Sequence, residues 1–106
     1  MMICYDKKGK KISVMEWGEL HGDRDYTIIK KDSLPDGKIV STVWLGMNHN
    51  FGRGKPLIFE TMVFPSKGNF SDIDCERYAT EKKALAGHKL MVDKYTKIVK
   101  PIRRKK

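Results

Sequence analysis

Eleven residues, Gly46-Met-Asn-His-Asn-Phe-Gly-Arg-Gly-Lys-Pro56, hold three glycines, two asparagines, a histidine, an arginine and a lysine. Backbone this rich in glycine can aim several N–H groups at one anion, and Arg53 and Lys55 add charge beside it. Asn48, His49 and Asn50 offer polar edges, and Phe51 offers a ring that can stack on a flat ligand. Loops of this length are uncommon in compact domains unless they bind something or lack structure. The pattern is no P-loop: Gly52-Arg-Gly-Lys-Pro56 lacks the Gly-Lys-Ser/Thr ending and leads into a strand. An ordinary hairpin end, in which asparagine and glycine serve turn geometry alone, accounts for the composition equally well.

Further candidates are scattered. Arg24 sits between Asp23 and Asp25, where it can bind phosphate or form a solvated ion pair. Arg77 precedes the last helical segment and can meet a phosphate at that helix's positive end, or a surface carboxylate. Arg103 belongs to the basic C-terminus, and Trp17 is either a stacking platform or part of the core. Glu60, inside Leu-Ile-Phe-Glu-Thr-Met-Val-Phe64, would cost on the order of several kcal/mol if buried alone. It requires an arginine or histidine partner, backbone amides or a polar cavity.

Catalytic and metal chemistry are hard to assemble. Ser41 lies in an apolar strand without a nucleophile elbow. His49 has no acidic neighbour in sequence, although the fold could bring Glu60 or Asp25 to it. The pairs Asp72/Asp74 and Asp23/Asp25 sit among turn formers and read as turn and cap residues. Cys4 and Cys75 are far apart, and with scattered histidines they make no zinc spacing. They read as small apolar groups in a reducing compartment. The chain reads as a non-catalytic binder without metal or cofactor.

The formal charge of +9 is uneven. Residues 94–106 hold seven cations and no acid, whereas residues 1–93 hold fifteen cations and thirteen acids. A basic end confers salt-sensitive affinity for nucleic acid, or solubility alone. No apolar run is long enough to span a membrane and the N-terminus does not resemble a signal peptide, so a cytoplasmic protein is expected.

The elements that must position these residues follow from periodicity. Ile3 to Ile12 reads as a hairpin turning through Asp6–Gly9. Ser13-Val-Met-Glu16 is a capping box for a short helix to about Leu20, ended by Gly22, with Val14, Trp17 and Leu20 inward. Tyr26–Ile29 reads as a strand, Ser33–Gly37 as a turn, and Ile39–Leu45 and Leu57–Phe64 as strands covered on both faces. Residues 65–75 read as a surface loop. Thr80 caps a long helix to about Val99, with Leu85, His88, Met91, Val92, Tyr95 and Val99 on one stripe. Gly87 costs that helix about 1 kcal/mol relative to alanine and can let it lie close to the sheet. The expected fold is α+β, an antiparallel sheet of about five strands with one short and one long helix. Residues 1–99 form one domain, and 100–106 a basic tail.

The segments Ser41-Thr-Val-Trp-Leu-Gly46, Pro56-Leu-Ile-Phe-Glu-Thr-Met-Val-Phe64, Arg77-Tyr-Ala-Thr-Glu81 and Ala84-Leu-Ala-Gly-His88 resemble a family of small phage and prophage proteins. The likeness covers residues 38–93. In size, element order and setting that family is similar to the Thoeris anti-defence sponge proteins, which bind cyclic ADP-ribose isomers without cleaving them. The resemblance implies a homo-oligomer that sequesters a nucleotide-derived signal where subunits meet. On residue chemistry, Arg24, Arg53, Arg77 and Arg103 suit the phosphates, Asn48 and Asn50 the polar edges, and Phe51 or Trp17 the base.

Overall fold

A computed structural model describes residues 3–48 and 54–99. The chain runs β1 (Cys4–Tyr5), β2 (Lys11–Ile12), α1 (Val14–His21), α2 (Arg24–Thr27), β3 (Ile28–Ser33), β4 (Ile39–Trp44), β5 (Phe59–Phe64), β6 (Asp74–Tyr78) and α3 (Glu81–Val99). Strands β3-β4-β5-β6 form one antiparallel sheet in that order, and β1-β2 a separate hairpin. The architecture is the expected α+β, with six strands divided between two sheets among the described residues.

Local chemistry explains the boundaries. In the hairpin turn, Asp6 Oδ1 accepts from the Lys8 and Lys10 amides, both at 2.9 Å. Ser13 Oγ accepts from the Glu16 amide at 3.0 Å and starts α1. Asp23 repeats that device, accepting from the Asp25 amide at 3.0 Å, so Arg24–Thr27 wind into one helical turn. This corrects the expectation of a strand from Tyr26: the strand begins at Ile28 and extends to Ser33. Thr80 Oγ1 caps α3 as expected, accepting from the Lys83 amide at 3.1 Å.

One face of the sheet carries α3. Opposite pairs Val40–Val63, Thr42–Thr61 and Trp44–Phe59 all point to it and are fully buried. Burying side chains such as Val63 and Phe59 stabilises the fold by about 1.5–3 kcal/mol each. Between the cluster of Leu34, Val40, Val63, Met91 and Tyr95 and that of Trp44, Ile58, Phe59 and Ala84 lies a polar band. Thr42 Oγ1 contacts Thr61 Oγ1 and His88 Nδ1, each at 2.6 Å, and His88 Nε2 donates to Asp32 Oδ2 at 2.7 Å. A carboxylate only accepts, so Nε2 carries a proton, and in the neutral ring Nδ1 then accepts from Thr42, which accepts from Thr61.

Gly87 performs its expected task. A Cβ there would fall within the Tyr78 ring, so the β6 tyrosine packs directly on the α3 backbone. Leu85, expected on the inward stripe, is 42% exposed, while Ala84 is buried in its place. Helix α3 also holds β6 through Asp74, whose Oδ2 accepts from Tyr95 Oη at 2.7 Å and Lys94 Nζ at 2.9 Å. Asp74 is therefore a strand residue anchoring a helix, and the expected loop over 65–75 ends one residue short of it.

The other face of the sheet is open. Ile39, Ser41, Val43, Met62 and Phe64 are half-buried there, so β4 and β5 are central strands covered fully on one side only. This corrects the expectation of two covered faces: their outward apolar groups are screened by neighbours in the sheet and by the 65–73 connection. Among the described residues no helix is long and apolar enough to cross a membrane.

Candidate functional site

The open face carries a cleft of about 390 Å³ where the start of β4 meets the end of β5. Lys31 of β3, Ile39 and Ser41 of β4 and Phe64 of β5 form its floor, and Arg24 of α2 reaches one rim. The turn Ser66–Asn69 and Phe70 make the other rim. Asn69 N–H donates to the Ser66 carbonyl at 3.2 Å, and Asn69 Oδ1 accepts from the Ser71 amide at 3.1 Å. Gly68, at φ +83°, supplies the left-handed residue that this turn requires. Phe70 is thereby set edge-on to Phe64, ring centroids 6.2 Å apart, while remaining 83% exposed.

The electrostatics are one-sided. Arg24, Lys31 and Lys67 line the cleft and no carboxylate does. None of the three forms an ion pair among the described residues. Cations, hydroxyls from Ser41 and Ser66, an amide from Asn69 and two phenyl rings match a phosphorylated, flat ligand.

Of two further concavities among the described residues, the larger lacks this character, while the smaller also presents lysines without a carboxylate. The larger one, about 450 Å³, lies between β6 and α3. Its cations are engaged: Lys94 pairs with Asp74, and Arg77 Nε donates to Glu60 Oε2 at 3.0 Å. The third, about 290 Å³, lies beside Lys8, Lys55 and Thr80.

The residues singled out from sequence are dispersed. Among the described ones, Arg24 alone reaches the open-face cleft. Arg77 is a β6 residue opposite Glu60, so its guanidinium satisfies the buried carboxylate instead of standing at the α3 N-terminus. Glu60, 6% exposed, thus has the internal arginine partner that its burial demands. Trp17 spends its indole N–H on the Leu45 carbonyl at 2.9 Å, and its ring lies against Gly46, where a Cβ would collide with it. Asn48 Oδ1 accepts from the Leu57 amide at 3.1 Å and clasps the neck of the 46–56 loop. His49, Asn50, Phe51, Arg53 and Arg103 lie outside the described residues.

Two clusters have the ingredients of chemistry without access. Thr42, His88 and Asp32 stand in nucleophile–base–acid order, but Thr42 and His88 are fully buried between sheet and helix. Cys75 Sγ donates to Glu60 Oε2 at 3.4 Å. Burial first, then the Glu60 carboxylate, pushes this thiol up to about 11, so the nucleophilic thiolate is suppressed near neutrality. Among the described residues no group of three or more histidines, cysteines or acids could hold a metal ion.

Sequence reasoning missed Lys31, Lys67, Phe64 and Phe70. The turn Ser66-Lys-Gly-Asn69 followed by phenylalanine was the available signal, since a glycine-containing turn can hold an aromatic in view. No protein-family model, curated protein or solved structure matches the chain.

Proposed function

We propose that this protein binds a nucleotide-derived signalling molecule in the open-face cleft and sequesters it without turnover. The carrying observation is the juxtaposition of three cations, free of ion pairs among the described residues, with an exposed phenyl ring. Phosphate satisfies the cations and a base covers the ring. The cleft's hydroxyls, Ser41 and Ser66, have no histidine or carboxylate beside them in its lining to activate them, which supports retention over cleavage. The resemblance to the Thoeris anti-defence sponge proteins supports the same reading: a phage-type protein acting in the host cytoplasm on a cyclic ADP-ribose isomer or cyclic oligonucleotide. A homo-oligomer would enclose the parts of such a ligand that one cleft leaves outside.

The decisive experiment incubates the protein with a candidate signal, removes unbound material, denatures by heat and identifies what is released by mass spectrometry. Intact signal in stoichiometric amount supports sequestration. Cleaved product indicates an enzyme, and absence of any nucleotide removes the reading. Light scattering in the presence and absence of ligand tests the oligomer.

A second reading, nucleic-acid binding or inhibition of a host nuclease, draws on the seven cations of residues 94–106. Lys94, one of the seven, pairs with Asp74. It requires steep salt dependence and loss of binding when residues 100–106 are removed.

A further inference from the structure

We infer that the cleft takes a nucleoside 5′-phosphate unit in one orientation, the phosphate at the Arg24–Lys31 end and the base at the Phe64–Phe70 end. The inference rests on the nucleotide-binding reading above and deepens it. Strand register carries the argument. Lys31 stands opposite Ser41 in one row of the open face, and Ile39 stands opposite Phe64 in the next row on that face. Two residues along a strand advance about 7 Å, and the step across the sheet from β3 to β5 adds about 10 Å, so the Lys31 and Phe64 backbones stand about 12 Å apart. The long Lys31 side chain can narrow that gap toward the span of a ribose between a base and its 5′-phosphate.

Each row offers the matching chemistry. At the first, the Lys31 ammonium and Ser41 hydroxyl face the cleft with the Arg24 guanidinium, a donor set for a terminal phosphate. At the second, Phe64 and Phe70 meet edge to face at 78°, and the exposed Phe70 leaves a ring face on which a base can stack. The turn around Gly68 sets the backbone from which that ring projects. The cleft, about 390 Å³, is at the small end of ligand pockets and suits one nucleotide unit. Lys67, on the far rim, is placed for a second anionic group or a base carbonyl.

Isothermal titration of the full chain at low salt tests this with three probes: adenosine 5′-monophosphate, adenosine and inorganic pyrophosphate. The monophosphate should bind more tightly than either fragment. Phe70→Ala should weaken the monophosphate by at least about tenfold and leave pyrophosphate within about twofold. Lys31→Glu should weaken monophosphate and pyrophosphate alike, by about tenfold, and spare adenosine. Both side chains are exposed, so both variants keep the fold. Equal effects of Phe70→Ala on monophosphate and pyrophosphate, or none from Lys31→Glu, overturn the orientation. So does a single-stranded oligothymidine that binds about a hundredfold more tightly than the monophosphate, since the cleft would then be part of a strand-binding track. If the unaltered protein binds no nucleotide, the sequestration reading falls with it. If it binds nucleotides and the variants behave as the parent, only the orientation falls.

Discussion

The two faces of the four-stranded sheet handle polar groups in opposite ways. Beneath α3, every hydroxyl and ring nitrogen of the Thr61–Thr42–His88 band has a partner inside the protein, ending at Asp32. Around the cleft on the open face, Arg24, Lys31 and Lys67 have no carboxylate among the described residues, and Phe70 has no cover. Residue types alone do not tell the two apart. Partnership separates them. Groups that satisfy one another hold the fold, and groups left to the solvent side are available to a ligand.

Substitutions can break this contrast, beginning where the effect on stability is greatest. His88→Ala opens a cavity and strands Thr42, so the thermal midpoint should fall by on the order of 15 °C, reflecting about 3 kcal/mol. A midpoint near the parental one would show that the band contributes no structural support. Gly87→Ala comes next. Alanine favours helix by about 1 kcal/mol, but its Cβ meets the Tyr78 ring, so a net loss of about 1–3 kcal/mol is expected. Denaturant melts would record it, and Tyr78→Ala should remove most of the difference between glycine and alanine at 87.

Asp74 sharpens the comparison through pH. Hydrogen bonds from Lys94 and Tyr95 hold its carboxyl below the ordinary 3.8. A depressed folded-state value contributes stability that is complete above 3.8 and lost as pH falls through the lowered value. Asp74→Asn should therefore lower the midpoint modestly at neutral pH and flatten its dependence below about pH 4. An unchanged acid limb would exclude this contribution. The smallest effects belong to the open face: Phe70→Ala and Lys31→Glu should each shift stability by less than about 0.5 kcal/mol. A larger loss would mean that these residues belong to the fold after all.

Much of the framework is legible in the residues. The Asp6–Gly9 turn, the Ser13 and Thr80 caps and the alternation from Ile39 to Trp44 each encode their structure within a few neighbours. Glu60 announced a partner by the cost of its burial, and Gly87 announced a close approach by its position in a long helix. Two features escaped, one because a stronger local signal competed and one because its own signal was absent. The Asp23 cap draws Tyr26 and Thr27 into a helical turn despite their strand preference. Strand β6, Asp-Cys-Glu-Arg-Tyr78, has no apolar alternation because it is an edge strand, and pairing with β5 supplies what its sequence lacks.

The candidate site was far less legible. Its residues come from five elements of the chain (α2, β3, β4, β5 and the turn after β5), and no spacing in sequence links them. The sequence by itself determined the α+β class, the caps and turns, the need to pair Glu60 and the close seat of α3. Only the tertiary structure decided which charged groups are paired, because an ion pair such as Glu60–Arg77 depends on register between strands seventeen residues apart. Local propensity acts over one or two turns of chain, whereas satisfaction of charge and hydrogen bonds is settled by whatever the folded neighbours bring.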